Sequence, residues 1–187
     1  MDLKDKGKVD FHTFKKNEEK NSSNNYNKNN SFKTKNFNKS RIEGNTDVDD
    51  ILKKLEDGYR DKNKEILKKE VVSDYAKKIA ENLEISSSQL RSFFNELKKL
   101  KLKYNKKEDF DKLQIALYIL KSKLEYRKGT RSNKNEKEEF KKFSYFIQKN
   151  IDIIIKENEN SVESFKDFMI FFETIIGYMY GSEKVKK

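Results

Sequence analysis

The residues with the clearest chemical potential are cations that cluster in two short stretches. Residues 98–107 carry six lysines and no acid, and residues 121–134 carry six basic residues against Glu125 alone. Such unbalanced charges repel one another unless a polyanion neutralises them, and nucleic-acid phosphate is the obvious polyanion. We expect both stretches to end a helix and to lie together on one side of the fold. Cations at helix carboxyl ends also offset the helix dipole, so a purely structural role stays open.

The arginines sharpen this hypothesis because the chain uses only five of them against 38 lysines. Where a sequence defaults to lysine, an arginine more often marks a site that needs the planar guanidinium, which suits phosphate or a buried carboxylate. Arg127 and Arg131 are spaced i, i+4 around the end of a predicted helix. Arg91 lies in the first turn of another helix, where pairing with Glu173 or another acid is an equally good interpretation.

The composition excludes several kinds of site. The chain has 187 residues, a formal charge of +11, no cysteine and one histidine. Without cysteine there is no disulfide scaffold and no thiolate zinc site. His12 lies in a polar stretch without pattern, and no glycine-rich phosphate loop, EF-hand or H-E-x-x-H spacing occurs. We therefore expect no enzyme activity, no cofactor, no metal and no small-molecule substrate. Asp47, Asp49 and Asp50 fit a helix start better than a magnesium site.

The distribution of apolar residues argues against a membrane protein. No stretch approaches the roughly 18 apolar residues of a membrane span, and no apolar signal region opens the chain, so we expect a cytoplasmic location. The total charge is a weaker guide than its position. Lysine, asparagine, isoleucine, phenylalanine and tyrosine all have AT-rich codons, and a skewed genome would explain much of the positive charge by itself.

Two segments differ sharply in composition, which predicts two parts of the chain. Residues 1–46 contain ten asparagines and eleven basic against six acidic residues, with aromatics that follow no period. Such a segment buries too little apolar surface to order itself, so we expect a disordered N-terminal tail. It is either a solvated extension or a basic arm whose aromatics stack on bases. Residues 47–187 form the expected helical domain.

Apolar residues recur with a helical period throughout residues 47–187, which predicts an all-α fold: a compact bundle of five main helices with a short lead helix. The absence of proline from the whole chain agrees with this prediction. Ser86 with Gln89 predicts a capping box, and Asn105 and Asn160 predict two further helix starts. The predicted spans, by residue number, are about 48–59, 64–84, 86–104, 105–128, 136–157 and 160–180. Residues 115–120 are apolar nearly all round, so we expect them at the bundle centre.

Three motifs resemble those of one protein family. Residues 86–94, SSSQLRSFF, resemble the T-x-S-Q-[LI]-R-x-F opening of a helix in the small subunit of type III-A (Csm) CRISPR effector complexes. Residues 121–131, KSKLEYRKGTR, are similar to that family's basic K-x-K-L-x-Y-x-x-x-R segment, with one additional residue before the last arginine. Residues 165–178, FKDFMIFFETIIGY, are similar to its closing helix. Order and spacing agree over about residues 71–181.

The resemblance implies a non-catalytic building block of an antiviral ribonucleoprotein. Such subunits assemble in several copies beside the backbone and large subunits, and they contact the backbone of guide CRISPR RNA paired with target RNA, while the guide bases read sequence. The RNA-facing candidates are Arg91, Lys121, Lys123, Arg127, Lys128 and Arg131. Lys128 is included for its local charge alone, and the others match family positions. Tyr126 and Tyr178 also match family positions, but we expect them in the core.

Two other functions stay open on the residues alone. A helical DNA-binding regulator would need a recognition helix and dimer symmetry, and the helix after Ser86 is the candidate for it. A purely structural protein-interaction bundle would use its positive surface only to stay soluble.

Overall fold

The described part of the chain is a succession of six α-helices. The computed structural model describes residues 46–61, 63–182 and 185–186. The helices are α1 Thr46–Lys54, α2 Ala76–Asn82, α3 Ser87–Lys103, α4 Phe110–Gly129, α5 Lys134–Lys156 and α6 Ser161–Gly181. The predicted helical bundle with a short lead helix is confirmed, because α1 is that lead helix. The predicted tail lies outside the described residues except for Thr46.

Short non-α segments connect these helices. The π-helical turn Val71–Tyr75 leads into α2, and the 3-10 turns Lys107–Asp109 and Asn158–Asn160 lead into α4 and α6. Strand β1, Arg60–Asp61, pairs antiparallel with β2, Ile66–Leu67. Strand β3, Ile85–Ser86, pairs parallel with β4, Val185–Lys186. These strands are too short to show the alternation that a sequence pattern would reveal.

The hairpin corrects one predicted boundary. The sequence predicted a helix from about residue 64, whereas helical structure begins only at Lys69. Gly58 has a φ of 87° and Glu65 a φ of 54°, and right-handed helix accommodates neither value. The chain therefore reverses at this point before α2 can begin.

Helix α6 forms the centre of the core. Its buried apolar residues are Val162, Phe165, Phe168, Met169, Phe171, Phe172, Ile175 and Met179. The Phe172 ring centre lies 6.2 Å from Phe93 of α3, 6.2 Å from Phe143 of α5 and 5.8 Å from Phe168. Rings at these distances attract one another beyond their area of contact. The aromatic residues of α6 therefore hold α3 and α5 in place.

Helix α4 lies at the edge of the bundle, and the expectation that residues 115–120 occupy its centre was wrong. Leu117 and Leu120 are buried, but Ile115, Tyr118 and Ile119 are 54–61% exposed. Helices pack on only one face of α4, so its second apolar face meets solvent. Within the described residues, no helix combines the length and apolar composition needed to cross a membrane.

Local capping explains where two helices begin. The Gln89 backbone N–H donates to Ser86 Oγ at 3.4 Å, which confirms the predicted start of α3. The helix predicted to start at Asn105 starts instead at Phe110, after the 3-10 turn Lys107–Asp109. At the start of that turn the Lys106 backbone N–H donates to Asp109 Oδ2 at 3.4 Å. Asn160 is the N-cap residue of α6, as predicted, although its side chain makes no capping bond.

Two polar contacts fasten the β1–β2 hairpin region to the bundle. The Tyr59 hydroxyl donates to Asn150 Oδ1 at 2.8 Å, and both residues are buried. The Arg60 guanidinium donates to both carboxylate oxygens of Asp167, at 2.5 and 3.0 Å. Asp167 is only 3% exposed, and the planar guanidinium of Arg60 supplies hydrogen-bond donors to both oxygens of this buried carboxylate.

Replacing Phe172 with alanine should lower the free energy of unfolding by about 3–5 kcal/mol, because a fully buried ring is lost from the meeting point of three helices. Urea unfolding followed by far-ultraviolet circular dichroism measures this. Ile170→Ala in the same helix is the control: Ile170 is 43% exposed, and its loss should be below about 1 kcal/mol. Equal losses would contradict the central position of Phe172.

Candidate nucleic-acid interface

Five of the six candidate cations lie on α4 or just beyond it. Lys121, Lys123, Arg127 and Lys128 belong to α4, and Arg131 follows its end. Lys121 and Lys128 are seven positions apart in the helix, which is about 10 Å along the axis. The structure places these cations on two sides of α4, one facing α3 and one facing α5.

The cations facing α3 share one carboxylate. Lys123 Nζ lies 2.6 Å from Glu96 Oε1, and Arg127 Nη2 lies 3.2 Å from Glu96 Oε2. Glu96 belongs to α3, so these ion pairs bridge the two helices. A groove of about 640 Å³ separates α3 and α4 here, and all three residues line it.

The cations facing α5 also have acidic partners. Lys121 Nζ lies 2.5 Å from Asp152 Oδ1 of α5, and Lys128 Nζ lies 2.5 Å from Glu125 Oε2. Gln148 Nε2 donates to the other oxygen of Glu125 at 2.7 Å. The hydrogen bond from Lys128, followed by that from Gln148, lowers the pKa of the Glu125 carboxyl below its ordinary value. Glu125 is therefore held in its charged form.

An exposed apolar surface lies between these two rows of ion pairs, on the face of α4 that points away from the core. Ile115, Tyr118, Ile119 and Tyr126 form it, and each is 54–74% exposed. We call these four residues the outer face of α4. The expectation that Tyr126 lies in the core was wrong, since it is 74% exposed. Tyr178 of α6 is 40% exposed and was likewise misplaced.

Arg131 packs against the protein. The central carbon of its guanidinium lies 3.6 Å from the centre of the Phe140 ring, and Nη1 donates to the Arg127 carbonyl at 2.5 Å. Burial lowers the pKa of Arg131, and the nearby Glu136 charge opposes that effect, but a guanidinium stays protonated in a protein. Arg127 and Arg131 line one small cavity with Ser92 of α3, so the structure does bring these two arginines together.

Arg91 is separate from the α4 cations and contacts the end of α6. Its Nε donates to the Tyr180 hydroxyl at 3.1 Å, and its guanidinium carbon lies 5.8 Å from the centre of the Tyr180 ring. The Ser87 hydroxyl lies 3.1 Å from the same oxygen. Arg91 and Glu173 are both exposed, so the interpretation of Arg91 as a buried partner of Glu173 is not met. Sequence reasoning missed Tyr180, which lies 89 residues from Arg91.

The two basic stretches come together only in part: Lys99 lines the α3–α4 groove with Lys123 and Arg127, whereas the other lysines of residues 98–107 are not among the residues that line it. Residues 98–103 end α3, and α4 then runs back alongside it, as the lining of the groove shows. Lys106 and Lys107 precede α4, and residues 121–128 lie roughly 15–30 Å along α4 from its first residue. In the described part of the chain, no lysine of residues 98–107 forms a carboxylate ion pair. Lys98 and Lys103 instead lie 5.1 and 5.2 Å from the ring centres of Phe94 and Tyr104.

The aspartates at the start of α1 have structural roles. Asp47 and Asp49 lie in the first turn of α1, where acidic groups favour the helix dipole. The Tyr145 hydroxyl donates to Asp49 Oδ1 at 2.8 Å. Over the residues that the structure describes, no cluster of three acidic or histidine side chains could hold a metal ion.

Tyr180 should ionise at lower pH than an ordinary tyrosine, because hydrogen bonds from Ser87 and Arg91 lower the pKa of its hydroxyl. Burial, together with the bond to Asp49, raises the pKa of Tyr145 to about 12. Ultraviolet absorbance of tyrosinate against pH should lose its early part in Tyr180→Phe and only some of its late part in Tyr145→Phe, because burial also raises the pKa of Tyr59. Arg91→Met should move the early part to higher pH. An early part unchanged in Tyr180→Phe would refute the Arg91 contact.

The match to a known family covers all six candidate cations. A family model described as Csm2 Type III-A matches residues 66–182, the range from β2 to just past α6. Comparisons with curated proteins and with solved structures gave no match. The family match spans well over half of the chain and includes the three motifs noted in the sequence. This chain therefore belongs to the Csm2 family, the small subunits of type III-A CRISPR effector complexes.

Proposed function

We propose that this chain is a non-catalytic, cytoplasmic subunit that binds the backbone of guide RNA paired with target RNA, without sequence specificity. One observation carries the proposal: four cations lie within about 10 Å along α4, inside the range that matches the family. A polyanion that crosses α4 would meet several of them at once. The lysines of residues 98–107, which lack carboxylate partners among the described residues, extend the positive surface along the antiparallel helix α3.

The ion pairs on α4 are compatible with this role. The lysine and arginine side chains in them are 26–53% exposed, and ion pairs of that exposure contribute about 0–1 kcal/mol each. An RNA strand offers many phosphates at once and gains the release of its own counterions. Phosphates therefore compete successfully with the local carboxylates for these cations.

The types of the cations favour backbone contact over the reading of bases. Three of the four on α4 are lysines, and an ammonium group is a point charge without the fixed fork of an arginine. Contacts between such groups and phosphate set position but carry no sequence information. Recognition of sequence is then left to base pairing between guide and target.

Replacing Lys121, Lys123, Arg127 and Arg131 together with alanine should weaken RNA binding equally for unrelated sequences. Each lost phosphate contact should flatten the dependence of log K on log salt by about 0.7 if the bound strand behaves as single-stranded and by about 0.9 if it behaves as a duplex. Fluorescence anisotropy with two unrelated guide–target duplexes at several salt concentrations measures both effects.

The matched control removes four exposed lysines from the segment that precedes α3: Lys64, Lys69, Lys77 and Lys78. It changes the net charge by the same amount, so it should retain most of the affinity. Thermal unfolding of both variants verifies that the bundle is intact. Equal affinity of the wild type and the α4 variant would rule out the proposed surface.

A protein-interaction role is the second candidate, and the outer face of α4 favours it. Four large, exposed apolar side chains on one helix face exceed the scattered apolar residues of an ordinary surface. We propose that this face contacts other subunits of the effector complex, including further copies of this chain. Both roles are compatible, because the cations flank the apolar face and do not interrupt it.

The double variant Ile115→Ser, Tyr126→Ser should reduce co-purification with the other effector subunits, because the contact would lose apolar area. RNA affinity of the isolated subunit should stay within about twofold, since no charge is changed. Ile170→Ser, at another exposed position, is the control and should assemble normally. Normal assembly of the double variant would exclude this face from subunit contacts.

A further inference from the structure

Glu96 places one carboxylate between two candidate RNA-binding cations. Its two oxygens take different partners, Lys123 at 2.6 Å and Arg127 at 3.2 Å. A phosphate group offers the same arrangement, two acceptor oxygens on one central atom, and lysine and arginine bind phosphate as readily as carboxylate. The position of the Glu96 carboxylate therefore marks a place where these two cations hold an anion.

The groove around Glu96 has the chemistry of a site for a nucleic-acid strand. Lys99 of α3 also lines this groove of about 640 Å³, which gives three cations against Glu96 as the acid in its described lining. Leu100, Ile119 and Leu120 supply apolar surface beside these charges. The groove thus keeps a positive balance even with Glu96 in place, and it gains a further positive charge when Glu96 turns away.

We infer that the α3–α4 groove is an RNA phosphate site that the carboxylate of Glu96 occupies in the unbound subunit. Binding of RNA turns the Glu96 side chain toward solvent and puts a phosphate between Lys123 and Arg127. This inference rests on the proposed RNA-binding function, and it adds the location of one contact and the group that competes for it.

The competing carboxylate makes the site selective for polyanions. Glu96 is tethered to the groove, so its effective concentration there is high, and a single small anion at ordinary concentration displaces it poorly. An RNA strand brings neighbouring phosphates to the cations of α4 in the same event, so its binding is multivalent. Glu96 therefore lowers the affinity of the isolated subunit for RNA and discriminates against inorganic phosphate and mononucleotides.

The test compares full-length wild type with Glu96→Gln for binding of a labelled guide–target duplex and of inorganic phosphate. Removal of the competing charge should tighten RNA binding roughly two- to fivefold, the upper part of the range that an ion pair of this exposure accounts for. Binding of inorganic phosphate should be too weak to detect in the wild type and should become measurable in Glu96→Gln. Glu173→Gln makes the same chemical change at an exposed position of α6 outside the groove, and its RNA affinity should stay within about twofold.

A second pair of variants tests the groove without touching Glu96. Lys99→Ala removes a lining cation and should flatten the salt dependence of duplex binding by about 0.9, the value for one phosphate contact to a duplex. Lys98→Ala removes the neighbouring cation, which lies over the Phe94 ring and outside the groove lining, so it should have a smaller effect.

The outcomes separate this inference from the function on which it rests. RNA affinity of Glu96→Gln that is equal to or weaker than that of the wild type overturns the inference, provided that the α4 variant described above still loses binding. If the α4 variant also binds like the wild type, the proposed RNA-binding function itself fails. Should Glu96→Gln unfold, Glu96→Asp takes its place in the test, because this variant keeps the charge but shortens its reach toward Lys123 and Arg127. Glu96→Asp should then bind RNA more tightly than the wild type. An affinity no higher than those of the wild type and Glu173→Gln would again overturn the inference.

Discussion

The burial of aromatic rings along α6 is the constraint on which the rest of the structure depends. Phe168 and Phe172 stack within α6, and rings from α3 and α5 approach Phe172 edge-on or tilted. Because these contacts surround one helix, the other helices are arranged around α6 and each is left with an outward face. The exposed surfaces that matter for function are therefore a consequence of which helix takes the centre.

The peripheral position of α4 determines how its charges are arranged. A helix that packs on one face has two flanks, and the flanks of α4 meet α3 and α5, each of which supplies acidic residues. Glu96 and Asp152 neutralise part of the positive charge that the sequence of α4 suggests. The effective positive surface is thus smaller than a count of lysines and arginines indicates.

Much of the fold follows from local signals, and the site follows only in part. Apolar periodicity revealed the helices, and the Ser86 cap marked the start of α3, because these effects act between residues a few positions apart. The sequence did not predict the hairpin before Val71, since positive φ values at Gly58 and Glu65 leave no periodic pattern of apolar residues. The second apolar face of α4 was misread as core, because periodicity cannot distinguish an interior from an unpaired surface.

The cations themselves were visible in the sequence, but their partners were not. Glu96 lies 27 residues from Lys123 and 31 from Arg127, and only the antiparallel path of α3 and α4 brings them together. The same holds for Arg91 and Tyr180, which are joined by the packing of α3 against the end of α6. Local charge therefore predicted which residues could bind an anion, and tertiary packing decides which anion each one holds.

The hydrogen bonds of Tyr59 and Arg60 have a consequence for how uniquely this chain folds. A core of phenylalanine, leucine and isoleucine tolerates small sliding motions, since one apolar neighbour substitutes for another. Asn150 and Asp167 admit no such substitution, because any slip of the hairpin would strand a buried amide and a buried carboxylate without donors. The two pairs therefore determine a single position of the hairpin against the bundle, since every other position leaves these buried groups unpaired.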